Sequence, residues 1–220
     1  YYIDYWPKYH KSMYSIIDWI TLKNSSNINR IKYLIKTLPY IRKRVKRQNI
    51  FKKFISKYIE PFVKPYDTSF KYDITIYGSD QIWRKQSGLM NRFNPVYFGI
   101  NKVRTTRHIT YSASMGNIDL SNEDKVFLQG SLKSFSSIAV REEDLCRAIN
   151  KLGFNNIELT LDPTLLIEKE EWESYFNLKS SPREKPYLLY FNLMQNCFNR
   201  DKVKAYAKSK NLDLVILESD

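Results

Sequence analysis

The sequence predicts an α/β protein built on an open, mostly parallel sheet, and three observations carry that expectation. Short β-branched or aromatic runs recur through the middle of the chain, each ends in a polar loop, and helical or loop crossovers separate them. Asp73-Ile-Thr-Ile-Tyr77 is the first run and ends at Gly78-Ser79-Asp80-Gln81. Arg107-His-Ile-Thr-Tyr-Ser-Ala113 is the second and closes at Ser114-Met115-Gly116. Ser137-Ile-Ala-Val140 stops at Arg141-Glu142-Glu143, ahead of a helix through Leu145, Ala148, Ile149 and Leu152 that Gly153 caps. Ile157 to Leu161 forms the fourth strand and ends at Asp162-Pro163-Thr164.

Composition limits what such a sheet can belong to. The chain of 220 residues is 43% hydrophobic and 15% aromatic, which excludes intrinsic disorder, and its six glycines and eight prolines exclude collagen-like or low-complexity sequence. Cys146 and Cys197 are far apart without a C-x-x-C, and His10 and His108 lie away from them, so no metal site or disulfide framework is expected. The longest apolar stretches, such as Tyr14 to Ile20, fall short of the roughly 20 residues of a membrane span. No basic-then-apolar leader opens the chain, and the absent initiator Met reads as lost upstream sequence.

Charge is unevenly placed. The net +13 resides almost wholly in Tyr1 to Tyr72, where sixteen basic residues face Asp4, Asp18, Glu60 and Asp67. Within it Ile31, Leu34, Ile35 and Leu38, then Ile41 and Val45, then Phe51, Phe54, Ile55, Tyr58 and Ile59 recur at helical spacing, with Arg42, Lys43, Arg44, Lys46, Arg47, Lys52 and Lys53 on the other faces. Pro39 should break or kink the first helix and Glu60-Pro61 should end the last. A helical excursion with a solvated lysine face is the plainest reading, and a basic helix lying on an anionic membrane is the second. A nucleic-acid surface has least support, since no helix-turn-helix, zinc finger or ribonucleoprotein signature accompanies the charge.

In open α/β sheets ligands bind beyond the carboxyl ends of the strands. The polar residues gathered there are Ser79, Asp80, Gln81, Ser114, Arg141, Glu142, Asp162 and Thr164. Each has a structural alternative: Ser79 or Asp80 as a helix cap, Arg141 with Glu142 as an ion pair, Asp162-Pro163-Thr164 as a turn. No G-x-G-x-x-G or G-x-x-x-x-G-K-[ST] occurs, which removes dinucleotide and P-loop enzymes. Ser180 to Pro186 has the composition of a linker after an acidic helix from Glu168 to Tyr175. Beyond it, Tyr187 to Phe191, Arg200 to Lys210 and Leu212 to Leu217 read as a β-α-β opening of a second sheet, in a chain that looks truncated at both ends.

Several of these motifs together resemble the polysaccharide pyruvyl transferase family. They are Tyr72-Asp73-Ile74 leading into Gly78-Ser79-Asp80-Gln81-Ile82-Trp83, Tyr111-Ser-Ala-Ser114 with Gly116, Val140-Arg141-Glu142, and Leu161-Asp162-Pro163-Thr164-Leu165-Leu166 followed by Glu171-Trp172. The opening Tyr2-Ile3-Asp4-Tyr5-Trp6-Pro7-Lys8 resembles the end of the family's second strand. The resemblance implies two Rossmann-like domains with helices on both sheet faces, facing each other as in B-type glycosyltransferases. Residues 1–181 would form the acceptor-side domain, with its basic helical excursion at about 28–60, and residues 182–220 the start of an incomplete donor-side domain.

It also implies transfer of the enolpyruvyl group of phosphoenolpyruvate to a sugar, giving a pyruvate ketal on exopolysaccharide of the cell envelope, with no cofactor and no metal. Its partners would be phosphoenolpyruvate and a glycan or lipid-linked sugar, its location cytoplasmic, at the inner membrane face if the basic helices bind lipid. The donor's Arg and His ligands would lie beyond Asp220. Asp80 is the expected base and Glu142 the next candidate. Arg141 suits a carboxylate or phosphate, Ser79 and Gln81 suit sugar hydroxyls, and Ser114, Asp162 and Thr164 complete the set. Trp83 suits either a sugar face or the core beneath the loop. A nucleotide-sugar glycosyltransferase of the same architecture and a non-enzymatic basic surface-binding protein are the alternatives.

Overall fold

A computed structural model of the chain describes residues 1–7, 16–17, 19–86, 89–178, 185–192 and 199–218. The chain divides into two compact units, Tyr1–Glu168 and Lys169–Asp220. His10, Cys197 and most of the linker-like stretch, Ser180 to Glu184, lie outside the described residues.

The first unit begins with β1 (Tyr2–Asp4) and the helices α1 (Trp19–Asn24), α2 (Asn27–Thr37) and α3 (Ile41–Tyr58), followed by β2 (Val63–Pro65), which pairs parallel to β1. Pro39 sits in the 3-10 turn Leu38–Tyr40 between α2 and α3. Its missing N–H and fixed φ let one helix stop and the next begin there. The inward positions of α2 are Arg30, Tyr33 and Thr37, at i, i+3 and i+7. The Arg30 guanidinium donates to the carbonyls of Leu22 (2.7 Å) and Lys23 (2.9 Å), and Arg44 of α3 donates to that of Ile16 (3.1 Å). The aliphatic stripe that the sequence places on α2 faces outward instead, with Ile31, Ile35 and Leu38 exposed.

Four parallel strands then form the central sheet in sequential order: β3 (Lys71–Tyr77), β4 (Arg104–Thr110), β5 (Phe135–Val140) and β6 (Ile157–Leu159). The 3-10 turn Pro95–Phe98 lies between the first two, α4 (Asn122–Leu132) between the next two, and α5 (Glu143–Asn150) between the last two. Two strand ends differ from the sequence reading. β4 stops at Thr110 because Ser112 adopts φ +52°, after which Ala113 makes only an isolated bridge to Val140. β6 stops at Leu159, where the Thr160 N–H reaches back to the Val140 carbonyl (2.9 Å). Gly153, expected as the cap of α5, lies just past its end at φ +97° and donates to the Asn150 carbonyl (3.0 Å).

Alternation sorts β3 between two faces. Thr75 and Tyr77 point into the core, where Tyr77, Phe135, Ile138 and Val140 pack with Trp83, Phe98 and the inner residues Leu128, Leu132, Leu145 and Ile149 of α4 and α5. Ile74 and Ile76 on the opposite face are exposed. A cavity of about 400 Å³ lies between β1 and β3, lined by Tyr2, Tyr5, Tyr66, Ile74, Ile76 and Tyr97 among others.

In the second unit, α6 (Lys169–Phe176) precedes β7 (Tyr187–Asn192), α7 (Arg200–Ser209) and β8 (Asp213–Glu218). β7 and β8 pair in parallel from Tyr187↔Asp213 to Asn192↔Glu218, with α7 as the crossover and Ala207 its buried residue.

Candidate functional site

The turn after β3 is shaped by its backbone. Gly78 stands at φ +143°, and a Cβ there would overlap the Tyr111 carbonyl oxygen, so only glycine lets the two strand ends approach this closely. The Tyr111 N–H donates to the Tyr77 carbonyl (3.0 Å). Asp80 follows at φ +71°, and its carbonyl accepts from Ile82 N–H (2.8 Å) and Ser114 N–H (3.1 Å), while Trp83 N–H donates to the Ser114 carbonyl (3.0 Å). The loops after β3 and β4 are thus stitched together through main-chain atoms.

This stitching decides where the side chains go. Asp80 is exposed and its carboxylate has no hydrogen-bond partner among the described residues. Ser79 and Gln81 are half-buried; the Gln81 carbonyl accepts from Arg84 (3.2 Å), and its amide lies against Gly116, itself at φ +75°. Trp83 is fully buried, stacked on Phe98 at 5.2 Å and 13°, with its indole N–H on the Tyr97 carbonyl (3.1 Å). Of the two roles open to Trp83 in the sequence, this packing corresponds to the core one. No ring face is left for a sugar.

The remaining candidates join in one network across three strand ends. Ser114, fully buried, donates through Oγ to Glu142 Oε1 (2.6 Å), and Arg141 Nε donates to the same oxygen (3.1 Å). Arg141 then donates through Nη1 to Asp162 Oδ2 (2.9 Å), and Asp162 Oδ1 accepts from the Thr164 N–H (3.0 Å) and hydroxyl (2.8 Å). The Thr164 backbone and hydroxyl bonds, helped by Arg141, hold the Asp162 carboxyl below its usual range. Burial pulls the Arg141 guanidinium down, but the bonds to Asp162 and Glu142 outweigh it and raise it.

Two features of this network bear on chemistry. Arg141 already meets two carboxylates, so it orients Glu142 and Asp162 and is not an uncommitted anion receptor. Among the described residues Glu142 Oε2 is buried with no hydrogen-bond partner, as is Ser112 Oγ on the neighbouring loop. A buried acceptor without a donor costs folding energy, so such an atom points to a donor that arrives with a ligand or water.

Sequence reasoning passed over Ser112 and Thr160, although Ser112 lies inside the quoted Tyr111-to-Ser114 run. The Ser112 N–H donates to Thr160 Oγ1 (3.2 Å), tying the end of β4 to that of β6. It also passed over the pairing of Tyr77 with His108, whose Nδ1 lies 2.9 Å from the Tyr77 hydroxyl. The cavity beside β3 is lined by none of the predicted site residues. Among the described residues no group of three or more His, Cys, Asp or Glu could hold a metal ion, and no helix is long and apolar enough to cross a membrane.

A parallel sheet of sequential strands, flanked by helices and carrying its polar side chains at the carboxyl edge, defines a Rossmann-like α/β protein. The family model for polysaccharide pyruvyl transferases matches residues 1–219, and the chain belongs to that family. That membership makes it a transferase of the pyruvyl class, within polysaccharide biosynthesis. No curated protein and no solved structure matches the chain.

Proposed function

We propose that the protein transfers the enolpyruvyl group of phosphoenolpyruvate to two hydroxyls of a glycan or lipid-linked sugar, forming a pyruvate ketal in a cell-surface polysaccharide. In this reaction a proton adds to the methylene carbon, an acceptor oxygen bonds to the central carbon, and the bond from that carbon to the phosphate oxygen breaks. The second hydroxyl closes the ketal, and one of the two hydroxyl protons leaves with phosphate. The donor is a substrate, and the scheme uses no cofactor.

The observation that carries the residue assignment is the contrast between two carboxylates at one sheet edge. Asp80 is exposed and unpartnered among the described residues, on a turn whose backbone is fixed to Ser114. Glu142 is clamped by Ser114 and Arg141, with one oxygen left over. Asp80 therefore takes the acceptor proton as base, and Glu142 Oε2 receives a sugar hydroxyl and orients it. Ser79 and Gln81 line the same edge for the sugar, and Asp162 and Thr164 hold Arg141 and hence Glu142 in place.

The test incubates the protein with phosphoenolpyruvate and a panel of sugars, reading phosphate release and the ketal methyl signal by NMR, with nucleotide sugars alongside. Asp80→Asn should lower turnover at least about 100-fold, the scale of a lost general base, with an unchanged melting temperature. Near-normal turnover by that variant removes Asp80 from the base role. Consumption of a nucleotide sugar in place of phosphoenolpyruvate replaces the reaction itself.

A further inference from the structure

The helical excursion before the sheet carries a surface that the transfer reaction does not use. On α2, Ile28, Ile31 and Ile35 recur at three and four and Leu38 continues the stripe, each 59–69% exposed. Lys32 and Lys36, next to Ile31 and Ile35 in sequence, border it. The second half of α3 repeats the mixture, with Ile50, Phe51, Phe54 and Ile55 exposed beside Lys52, Lys53 and Lys57. Residues 27–58 hold eleven Lys and Arg and no Asp or Glu. Arg30 and Arg44 turn inward to backbone carbonyls, and the other nine side chains are exposed.

We infer that α2 and α3 form a docking surface for an anionic lipid membrane, on which the helices lie with their aliphatic residues in the headgroup boundary and their lysines and arginines at the phosphates. Charge selects the occupant. A second copy of the same surface would bring nine exposed cations against nine, with no acid in residues 27–58 to offset them. Nucleic acid would satisfy the cations but leave the Ile and Leu stripe without a partner, because phosphate contacts need no aliphatic side chains. An anionic bilayer satisfies both: acyl boundary for the stripe, negative surface potential for the cations, and long Lys and Arg stems that reach between them. The helices lie on the membrane without crossing it, since neither is apolar enough to span.

The inference is independent of the transfer reaction and its test reads no turnover. The protein is floated with vesicles of phosphatidylcholine alone and of phosphatidylcholine with phosphatidylglycerol, at low and moderate salt. Binding to the anionic vesicles only, weakening with salt, is expected. Ile31→Ser with Ile35→Ser should weaken it about tenfold or more, and Lys52→Gln with Lys53→Gln about fivefold per cation. All four positions are exposed, so melting temperatures should stay at the wild-type value. Failure to float with anionic vesicles at low salt overturns the inference. So does binding to duplex DNA that outcompetes the vesicles, or a dimer that the Ile31→Ser, Ile35→Ser variant abolishes.

Discussion

Gly78 shows how a single backbone position holds the candidate site. Its φ of +143° and the Tyr111 carbonyl beside it exclude any side chain, and the neighbouring Asp80 occupies the left-handed region at +71°. Gly78→Ala should therefore cost about 2 kcal/mol or more, from strain and from forcing β3 and β4 apart at their ends, and would appear as a lower melting temperature. Asp80→Gly tests the other half of the turn. It removes the carboxylate while relieving φ, so it should lose turnover with stability kept or raised. A drop in both would make Asp80 structural. The glycine was legible as a strand end, because a polar loop follows a β-branched run. Its clash partner was not, since Tyr111 comes near only once β4 has paired beside β3. Trp83 marks the same boundary: the sequence left two roles open, and only stacking on Phe98 separates them.

At the scale of elements, α4 is held by devices that can be removed one at a time. Ser121 Oγ accepts from Asp124 N–H (3.2 Å), and Asp124 Oδ2 accepts from Ser121 N–H (2.9 Å) and from Lys85 Nζ (3.0 Å). Ser121→Ala should cost about 1 kcal/mol by denaturant melts, the usual scale for a lost N-cap. Partial burial pushes the Asp124 carboxyl up, but Lys85 and the two Ser121 bonds prevail and hold it low. The Ser121-x-x-Asp124 spacing was readable as a capping box, yet the helix went unassigned because its apolar residues are interrupted by Gln129, Gly130 and Ser131. The four strands were legible from their composition, and so was the set Ser114, Arg141, Glu142, Asp162 and Thr164, because each follows a strand. The Arg141–Glu142 ion pair and the Asp162-Pro163-Thr164 turn were legible from adjacency; the bonds from Ser114 to Glu142 and from Arg141 to Asp162 were not, since they depend on the strand order β3-β4-β5-β6.

For the whole molecule, acid response separates three sources of stability that a single melting curve would merge. His108 stacks against Tyr77 and lies against Phe135, and its Nδ1 is hydrogen-bonded at 2.9 Å to the Tyr77 hydroxyl, which also accepts from Asn101 Nδ2 (2.8 Å). Burial lowers the imidazole's pKa from 6.5, so the folded state favours the neutral ring. Between that lowered value and 6.5 the unfolded chain binds more protons. This contribution is therefore complete above about 6.5 and is lost as pH falls. Asp124 and Asp162 also have lowered values, from 3.8, so their contribution is complete above about 3.8 and is lost only in a separate, more acidic window. Self-repulsion among the cations, already at net +13, grows as carboxylates protonate and weakens with added salt. His108→Gln should thus flatten the decline in melting temperature just below pH 6.5, leave the decline below pH 4 in place, and leave the recovery by salt unchanged. Equal slopes for variant and wild type below pH 6.5 would show that repulsion among the Lys and Arg residues, and not the Tyr77–His108 pair, sets the acid response of the fold.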